Sequence, residues 1–303
     1  MWGNGREAGV RVELGARVLQ VWGMRSSPIF ALFCCGILLG GGLATGCRTL
    51  KGKGADQAGS ESKPIPMAAS NVDWNQALIA AIERMPIGGG YSGGADAKAS
   101  LQTAVAWEEG KPALRPREAQ PSFCSGATYL LLLVTLAQEQ RAGHLSLSPG
   151  VWRALMVEGQ EDGVGVWGRW NANGPAVARL FSELGVGRSF TDWKEAKPGD
   201  FLKLFWNESI GASEKGHLVL YIDRSVVEGE DTVTFWSSND PGGYGLKQVP
   251  MSQIKRSVFS RLEHPERFSR VTSLSERDSF LSDLLNKNVS PKQAESASGF
   301  KGW

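Results

Sequence analysis

A long apolar segment that begins directly after a cysteine constrains this chain more than any other feature. The segment reads SGATYLLLLVTLAQEQRA over residues 125–142, contains no proline and ends at Gly143. Good helix formers fill it, and glycine suits the position after a helix end, so the pattern predicts one helix. Because apolar residues cover all of its faces and the run is too short to span a bilayer, we expect this helix to lie inside a core.

Cys124 precedes this predicted helix, so it falls at or next to the N-cap. Unpaired backbone N–H groups and the positive end of the helix dipole stabilise an anion there by about 0.3–1 kcal/mol. A neighbouring imidazolium lowers the pKa of a cysteine much further, and the thiolate is the nucleophilic form. The position therefore makes Cys124 a candidate nucleophile.

Residues 1–47 have the parts of a secretory leader. The 22 residues from Ser26 to Cys47 carry no charge, a basic Arg25 precedes them, and small residues end the run. Its apolar part, residues 29–43, is shorter than the roughly 20 residues that span a bilayer. We expect export, and an uncleaved N-terminal anchor remains an alternative with the same topology.

The leader ends in LATGC, which resembles a bacterial lipobox. The resemblance implies cleavage before Cys47, lipidation of that cysteine and attachment to a membrane in the cell envelope, outside the cytoplasm. Cys34 and Cys35 are then lost with the leader. Cys124 is left without a disulfide partner in its own chain, which favours intermolecular pairing or a reactive role. Translation from Met1 or from Met24 gives the same export signal.

Charge excludes one class of partner. The chain has 33 basic and 31 acidic residues, and removal of residues 1–47, with four arginines and two glutamates, leaves 29 of each. A neutral mature chain without a basic stripe does not predict nucleic-acid binding.

The mature chain divides into three parts. Residues 48–70 have the polar composition of a flexible tether, residues 71–268 suffice for one core, and residues 269–303 contribute a helix and a polar tail of low order. The helix is expected near 275–286, with Ser273 and Glu276 spaced as a capping box.

Helices come first in the domain and strands later. Apolar residues recur at helical spacing after a cap at Asp73 or Asn71, and again in residues 149–158 and 175–184. Residues 95–120 have no clear period and are interpreted as a loop. After residue 197 the runs FLKLFW, GHLVLYI and TVTFW are typical of strands. This order predicts an α+β fold in which an antiparallel sheet packs on the Cys124 helix.

A nucleophilic cysteine needs a base, and the chain has three histidines. His264 lies in a charged run typical of a surface turn, and His144 follows the helix C-cap, where a cation is favourable. His217 opens a strand after a flexible loop, which predicts an imidazole at the rim of the sheet. The alternative interpretation is a structural histidine whose ring nitrogens are hydrogen-bonded within the fold.

Several short motifs together resemble the NlpC-type cell-wall cysteine peptidases and the related cysteine, histidine-dependent amidohydrolase-peptidases. They are CSG at 124–126, PGD before FLKLF at 198–205, and GHLVLYI at 216–222, in the family's order within residues 120–245. The resemblance implies a papain-like α+β fold. It also implies that Cys124 attacks, that His217 acts as base and then acid, and that a polar residue on the next strand orients the imidazole.

Asn239 is our candidate for that third residue, because an asparagine carbonyl can accept the imidazole N–H without charge. Ser237 and Ser238 are adjacent, and the register of the hairpin decides which of the three faces His217. Polar residues that merely end a strand are the alternative interpretation.

The chain departs from the family in two places. Phe123 replaces a polar residue before the nucleophile, and residues 143–197 lengthen the spacing from Cys124 to His217. This insertion includes GRWNANG at 168–174, a loop that we expect to line a substrate cleft. Its tryptophans, and those of the strands, are expected mainly to pack in the core and at its rim.

The sequence thus predicts an exported, lipid-anchored cysteine hydrolase that cleaves amide bonds, with the peptides of peptidoglycan as expected substrate. No metal or other cofactor is expected, because no histidine and carboxylate cluster has ligand spacing. Two alternatives remain open. One is a non-enzymatic envelope lipoprotein that binds the wall or a protein partner, and the other is a thiol acyltransferase on the same fold.

Overall fold

A computed structural model describes residues 13–14, 17–18, 72–157 and 160–303. Residues 13–14 and 17–18 form strands β1 (Glu13–Leu14) and β2 (Arg17–Val18). These strands pair antiparallel and belong to a separate unit. Otherwise the predicted leader, its Cys47 and the 48–70 tether lie outside the described residues. No helix among the described residues is long and apolar enough to cross a membrane.

The second unit is an α+β structure that ends at Trp303. Its helices are α1 (Trp74–Ala81), α2 (Ala95–Ala104), α3 (Cys124–Arg141), α4 (Pro149–Ala154), α5 (Gly165–Asn171), α6 (Ala176–Leu184), α7 (Ser279–Asp283) and α8 (Pro291–Ser298). Its strands are β3 (Gly88–Gly89), β4 (Val105–Glu108), β5 (Lys111–Leu114), β6 (Gly187–Phe190), β7 (Phe201–Phe205), β8 (Gly216–Val227), β9 (Glu230–Asn239), β10 (Gly243–Pro250) and β11 (Arg256–Leu262).

Seven of these strands form one sheet in the order β3-β10-β9-β8-β7-β11-β6, and every pairing in it is antiparallel. β4 and β5 form a separate hairpin. The predicted α+β class and its antiparallel sheet are therefore confirmed. The three predicted strands are β7, β8 and β9, which lie side by side in the middle of the sheet.

Helix α3 is the central helix, as the sequence predicts. Every residue from Ser125 to Ala137 is buried, and the four leucines at 130–133 are completely covered. The helix packs against β8 and β9. It begins at Cys124, after an extended Phe123 at the N-cap, and ends one residue before the predicted end.

Other predicted helices agree in part. Asp73 caps α1 by accepting a hydrogen bond from the Gln76 backbone N–H at 3.2 Å. Helix α6 ends at Gly185, whose φ of 66° is a left-handed conformation that glycine adopts without strain. Helix α4 has only six residues and is shorter than the predicted 149–158.

One segment that the sequence assigns to a loop contains ordered elements. Residues 95–120 contain α2 and the β4-β5 hairpin, so their interpretation as a loop is wrong. Hydrophobic periodicity does not reveal α2, because its buried side consists of two alanines and one leucine, Ala97, Leu101 and Ala104. A stripe of small residues carries a weak hydrophobic signal.

The C-terminal segment also differs from the prediction. Asp278, rather than a Ser273 and Glu276 capping box, caps α7 through its side chain, and α7 covers only part of 275–286. The expected polar tail contains α8, where Ser290 and Gln293 form a capping box. Trp303 Nε1 then donates to the Ser257 carbonyl of β11 at 2.7 Å. The tail thus packs on the sheet.

The β8-β9 hairpin contains a bulge that changes its register. Val227 pairs with Glu230 near the turn, but Leu220 pairs with Trp236 beyond an irregularity between Tyr221 and Asp223. One extra residue therefore lies in β8. Further along, this second register brings His217 and Asn239 opposite each other.

Candidate active site

Cys124 occupies the first position of α3, where the N–H groups of the first turn have no partner within the helix. Its thiol is free and partly exposed. The neighbouring insertion holds this turn in place, because Trp170 Nε1 donates to the Ser125 carbonyl at 3.2 Å and the Phe123 ring packs on Trp167 at 6.0 Å between centroids. Phe123 is therefore a packing residue at the helix start.

His217 lies near the start of β8, and its imidazole is close enough to the Cys124 side chain to stabilise the thiolate. On its other side, His217 Nε2 lies 3.1 Å from Asn239 Oδ1. The structure thus brings the three predicted site residues together, from α3, β8 and β9.

The hydrogen bonds of Asn239 determine the direction of its amide. Nδ2 donates to the Gly245 carbonyl at 2.9 Å and to the Ser237 carbonyl at 3.3 Å. Oδ1 is left to accept, so His217 Nε2 carries the proton. In a neutral imidazole the other nitrogen, Nδ1, is then unprotonated and can accept a proton.

Ser237 and Ser238, the alternatives to Asn239 as third site residue, have other hydrogen-bond partners. Ser237 Oγ donates to the Leu218 carbonyl at 2.9 Å, and Ser238 Oγ donates to the Ser122 carbonyl at 3.0 Å. Both are buried, and Ser238 ties β9 to the residue two positions before Cys124. The register of the β8-β9 hairpin therefore brings Asn239 to the imidazole. The two serines instead form hydrogen bonds to the backbone of neighbouring segments.

The surroundings of Cys124 favour its thiolate. Burial raises the pKa of the thiol, but the charge and the hydrogen bond of His217 act in the opposite direction and prevail. The Leu218 backbone N–H and the Lys203 ammonium also favour the anion. Together they lower the pKa of Cys124 to about 6.

Tyr91 is a site residue that the sequence reasoning missed. It lies in the glycine-rich segment after α1, and its hydroxyl is close enough to Cys124 to interact with the thiol. Burial, with the negative charges of Cys124 and Asp240, raises the pKa of Tyr91 to about 12, so the phenol keeps its proton at neutral pH. A sequence signal was present, since this aromatic residue stands alone in GGGYSGG.

Long-range backbone contacts hold Tyr91 in place. Its N–H donates to the Pro241 carbonyl at 3.1 Å, and the Ser122 N–H donates to the Gly90 carbonyl at 3.2 Å. The segment around Tyr91 therefore lies between the residues before Cys124 and the turn after β9.

Two cavities flank the Cys124 and His217 pair. One, of about 230 Å³, is lined by Cys124 and by residues of the insertion, including Asn171 and Asn173. The other, of about 350 Å³, is lined by His217, Tyr91 and Trp206, among others. Part of the 168–174 segment thus borders the cavity beside Cys124, although its first four residues belong to α5 and not to a loop.

The tryptophans mainly pack, as predicted. Trp152, Trp167, Trp170 and Trp236 are buried in the main core. Trp206 is partly exposed, and its ring lies 6.4 Å from the His217 ring. Trp206 lines the cavity on the His217 side, and Trp170 lines the one on the Cys124 side.

The remaining candidates lie elsewhere. His144 and His264 are exposed and face Glu139 and Glu266, respectively. A groove of about 750 Å³ runs along the C-terminal half of α3, at the end opposite Cys124. Within the described ranges, no group of three or more His, Cys, Asp or Glu side chains is arranged to hold a metal ion.

Comparison of the chain with models of protein families, with curated proteins and with solved structures gives no match.

Proposed function

We propose that this protein is a cysteine hydrolase of papain-like fold that cleaves amide bonds. The observation that carries the proposal is the continuous chain of contacts from the Cys124 thiol through the His217 imidazole to Asn239 Oδ1. A nucleophile, a base and a residue that fixes the tautomer of the base are the three groups that acyl transfer requires. A packing role for His217 would not require this directed arrangement.

In the proposed reaction the Cys124 thiolate adds to the carbonyl carbon, and a C–S bond forms as the C–O π electrons move to oxygen. The tetrahedral intermediate collapses, the C–N bond breaks, and His217 protonates the departing amine. His217 then removes a proton from water, whose oxygen forms a C–O bond with the thioester carbon. The C–S bond breaks, and the acid and the Cys124 thiolate are released. Asn239 keeps the imidazole in one orientation throughout.

The negative oxygen of the intermediate needs donors. The Cys124 backbone N–H is unpaired within the helix, and the Tyr91 hydroxyl is close enough to the thiol to interact with it. Both are at the reacting atom and need no proton transfer to act. We therefore assign Tyr91 and the Cys124 N–H to the oxyanion, which is the kind of contact that contributes most to such reactions.

The peptides of peptidoglycan are the proposed substrate. This choice rests on the resemblance of the CSG, PGD and GHLVLYI motifs to NlpC-type peptidases and on the export signal of residues 1–47. An enzyme held outside the cytoplasm by lipid at Cys47 would meet the cell wall directly.

Hydrolysis of purified wall fragments tests the proposal. Cys124→Ala should abolish release of peptides, Asn239→Ala should leave a measurable remnant, and the double variant should match Cys124→Ala because the residues act as one unit. Release of peptide by Cys124→Ala at the wild-type rate would disprove the assignment of the nucleophile.

The same assay separates the alternatives. Binding of wall fragments without hydrolysis would favour the non-enzymatic lipoprotein. Transfer of the acyl group to an added amine, in preference to water, would favour an acyltransferase.

A further inference from the structure

The groove at the far end of α3 from Cys124 concentrates positive charge. It has a volume of about 750 Å³, and one of its lining residues, Glu118, is acidic. Five others are cationic, namely Arg84, Lys111, Arg115, Arg117 and Arg141. Residues 72–303 as a whole carry 25 basic and 27 acidic side chains. The groove is therefore a local cluster of cations in a domain that is slightly acidic.

The five cations come from three separate segments of the chain. Arg84 ends a one-turn 3-10 helix after α1, and Arg141 ends α3. Lys111, Arg115 and Arg117 lie on β5 and in the 3-10 turn that follows it. No run of basic residues marks these positions in the sequence. The neutral composition of the mature chain thus conceals a cluster that only the fold assembles.

Three of the arginines are available to bind a ligand. Within the part of the chain that the structure describes, the side chains of Arg84, Arg117 and Arg141 make no hydrogen bond and no ion pair. The other two cations face acidic side chains, Arg115 with Glu108 and Lys111 with Glu109. A guanidinium group has five N–H donors in a fork that matches the oxygens of a carboxylate or a phosphate. Three such groups at one groove favour an anionic ligand.

The inner part of the groove is apolar. Val134, Ala137 and Trp152 line it and are buried, whereas Arg84 and Arg141 are exposed. A small inorganic ion would fill little of a 750 Å³ groove and would leave this apolar surface in water. An anion that also carries an apolar part satisfies both regions. A phospholipid, with a phosphate next to hydrocarbon, has this chemistry.

The position of the groove in the chain also favours a membrane lipid. The described domain begins at residue 72, and α1 leads from there to Arg84. Residues 48–70 connect Cys47 to the domain and reach at most about 80 Å when fully extended. The lipid expected at Cys47, or a retained leader, would keep the groove within this distance of headgroups and so raise their effective concentration. The tether itself is basic, with four cations and two acids, and is repelled by the groove.

We propose that this groove binds the headgroup phosphates of anionic phospholipids in the membrane that anchors the chain. The inference goes beyond the hydrolase function and rests on the expected anchor of residues 1–47, not on chemistry at Cys124. Helix α3 has 18 residues, so about 27 Å separate its two ends. With the Arg141 end on the membrane, Cys124 faces away from it. The groove thus orients the domain as well as holding it.

Hydrogen exchange of the full chain on vesicles tests the proposal. The chain is inserted through its own N-terminal anchor into vesicles of phosphatidylcholine, with or without phosphatidylglycerol. Backbone amides of residues 82–84 and 111–118 should exchange more slowly on the anionic vesicles. Each cation at such a surface strengthens binding about fivefold, so Arg84→Gln, Arg117→Gln and Arg141→Gln together should weaken docking about 100-fold and remove the slowing.

The matched control removes three exposed lysines outside the groove, with the variant Lys194→Gln, Lys255→Gln and Lys292→Gln. It should exchange like wild type on both kinds of vesicle. Equal exchange of wild type on the two vesicles, or equal losses in the two triple variants, would overturn the site. Slowing by soluble polyphosphate but not by phosphatidylglycerol would identify a soluble polyanion as the occupant and reject the membrane.

The anchor and the groove can be separated in the same samples. A chain without an anchor should still sediment with anionic vesicles and not with phosphatidylcholine alone, and the groove variant should lose this binding. Failure of an unanchored wild-type chain to sediment with anionic vesicles would reject the groove as a lipid site.

Alkylation of Cys124 checks the orientation. Iodoacetamide is uncharged, and its rate of reaction with the thiolate should be the same on both kinds of vesicle, because the groove and the thiol lie at opposite ends of α3. Slower alkylation on the anionic vesicles would place the membrane contact at the Cys124 end and contradict the proposal. Neither measurement involves hydrolysis, so the lipid site and the hydrolase function can fail independently.

Discussion

Arg261 binds Asp200 through two parallel hydrogen bonds, from Nε to Oδ1 at 2.8 Å and from Nη2 to Oδ2 at 2.7 Å. The Asp200 side chain is completely buried, and it also accepts hydrogen bonds from the Asn75 side chain and the Lys197 N–H, both at 2.8 Å. This aspartate ends the PGD motif. It joins α1, the turn before β7, and β11.

Asp200→Asn should therefore destabilise the fold. The change leaves the Arg261 guanidinium buried without its counter-ion, which costs about 3–5 kcal/mol. Denaturant unfolding monitored by tryptophan fluorescence measures the difference. Glu195→Gln, which removes one partner of the exposed Arg188 pair, should cost less than about 1 kcal/mol. Equal effects of the two variants would contradict a structural role for Asp200.

The reactivity of Cys124 should depend on pH with a midpoint near 6. The thiolate is the reacting form, so the rate of alkylation by iodoacetamide should rise as the pH increases through 6 and level off above 7. His217→Ala removes the group that opposes burial, and the midpoint should move to about 8.5 or above.

The control for this profile is His264→Ala, which removes an exposed histidine from a surface turn. Its midpoint should match wild type. An unchanged midpoint in His217→Ala would show that the imidazole does not stabilise the thiolate.

Tyr91→Phe should slow hydrolysis without loss of the reactive thiol. Removal of one oxyanion donor lowers kcat by about 10²-fold, and KM should change little, because the contact is strongest in the transition state. Steady-state kinetics on wall peptides measures both constants. The alkylation midpoint should rise somewhat above 6, because the variant removes a hydroxyl that can donate to the thiolate. A kcat equal to wild type would remove Tyr91 from the proposed mechanism.

Cys47→Ala tests the expected export and anchoring. The leader ends at the only lipid acceptor that we propose, so the variant should leave the membrane fraction or accumulate with its leader attached. Fractionation with an antibody to the chain distinguishes these results. A variant that stays on the membrane with its leader removed would exclude lipidation at Cys47.

The sequence predicted the parts of the site that depend on local patterns. The apolar run after Cys124 determines α3, and alternating residues after His217 and before Asn239 determine β8 and β9. Because β8 and β9 are adjacent in the chain, a hairpin brings their polar ends together.

Features that depend on distant contacts were not predictable in the same way. Tyr91 is positioned by hydrogen bonds from segments more than 30 residues away, and its glycine neighbours indicate only a flexible loop. The ion pair of Lys203 with Glu214 forms across the loop between β7 and β8. Its only local signal in the sequence is a charge inside the apolar run FLKLF. Such pairings follow from tertiary packing rather than from periodicity.

The bulge in β8 selects the chemical type of the third site residue. If the pairing of Val227 with Glu230 continued without it, His217 would lie opposite Asp240 and not Asn239. The imidazole would then meet a carboxylate, and the site would carry an additional negative charge beside the thiolate. The register of a strand pair, and not only the identity of a side chain, therefore sets the charge of the group opposite His217.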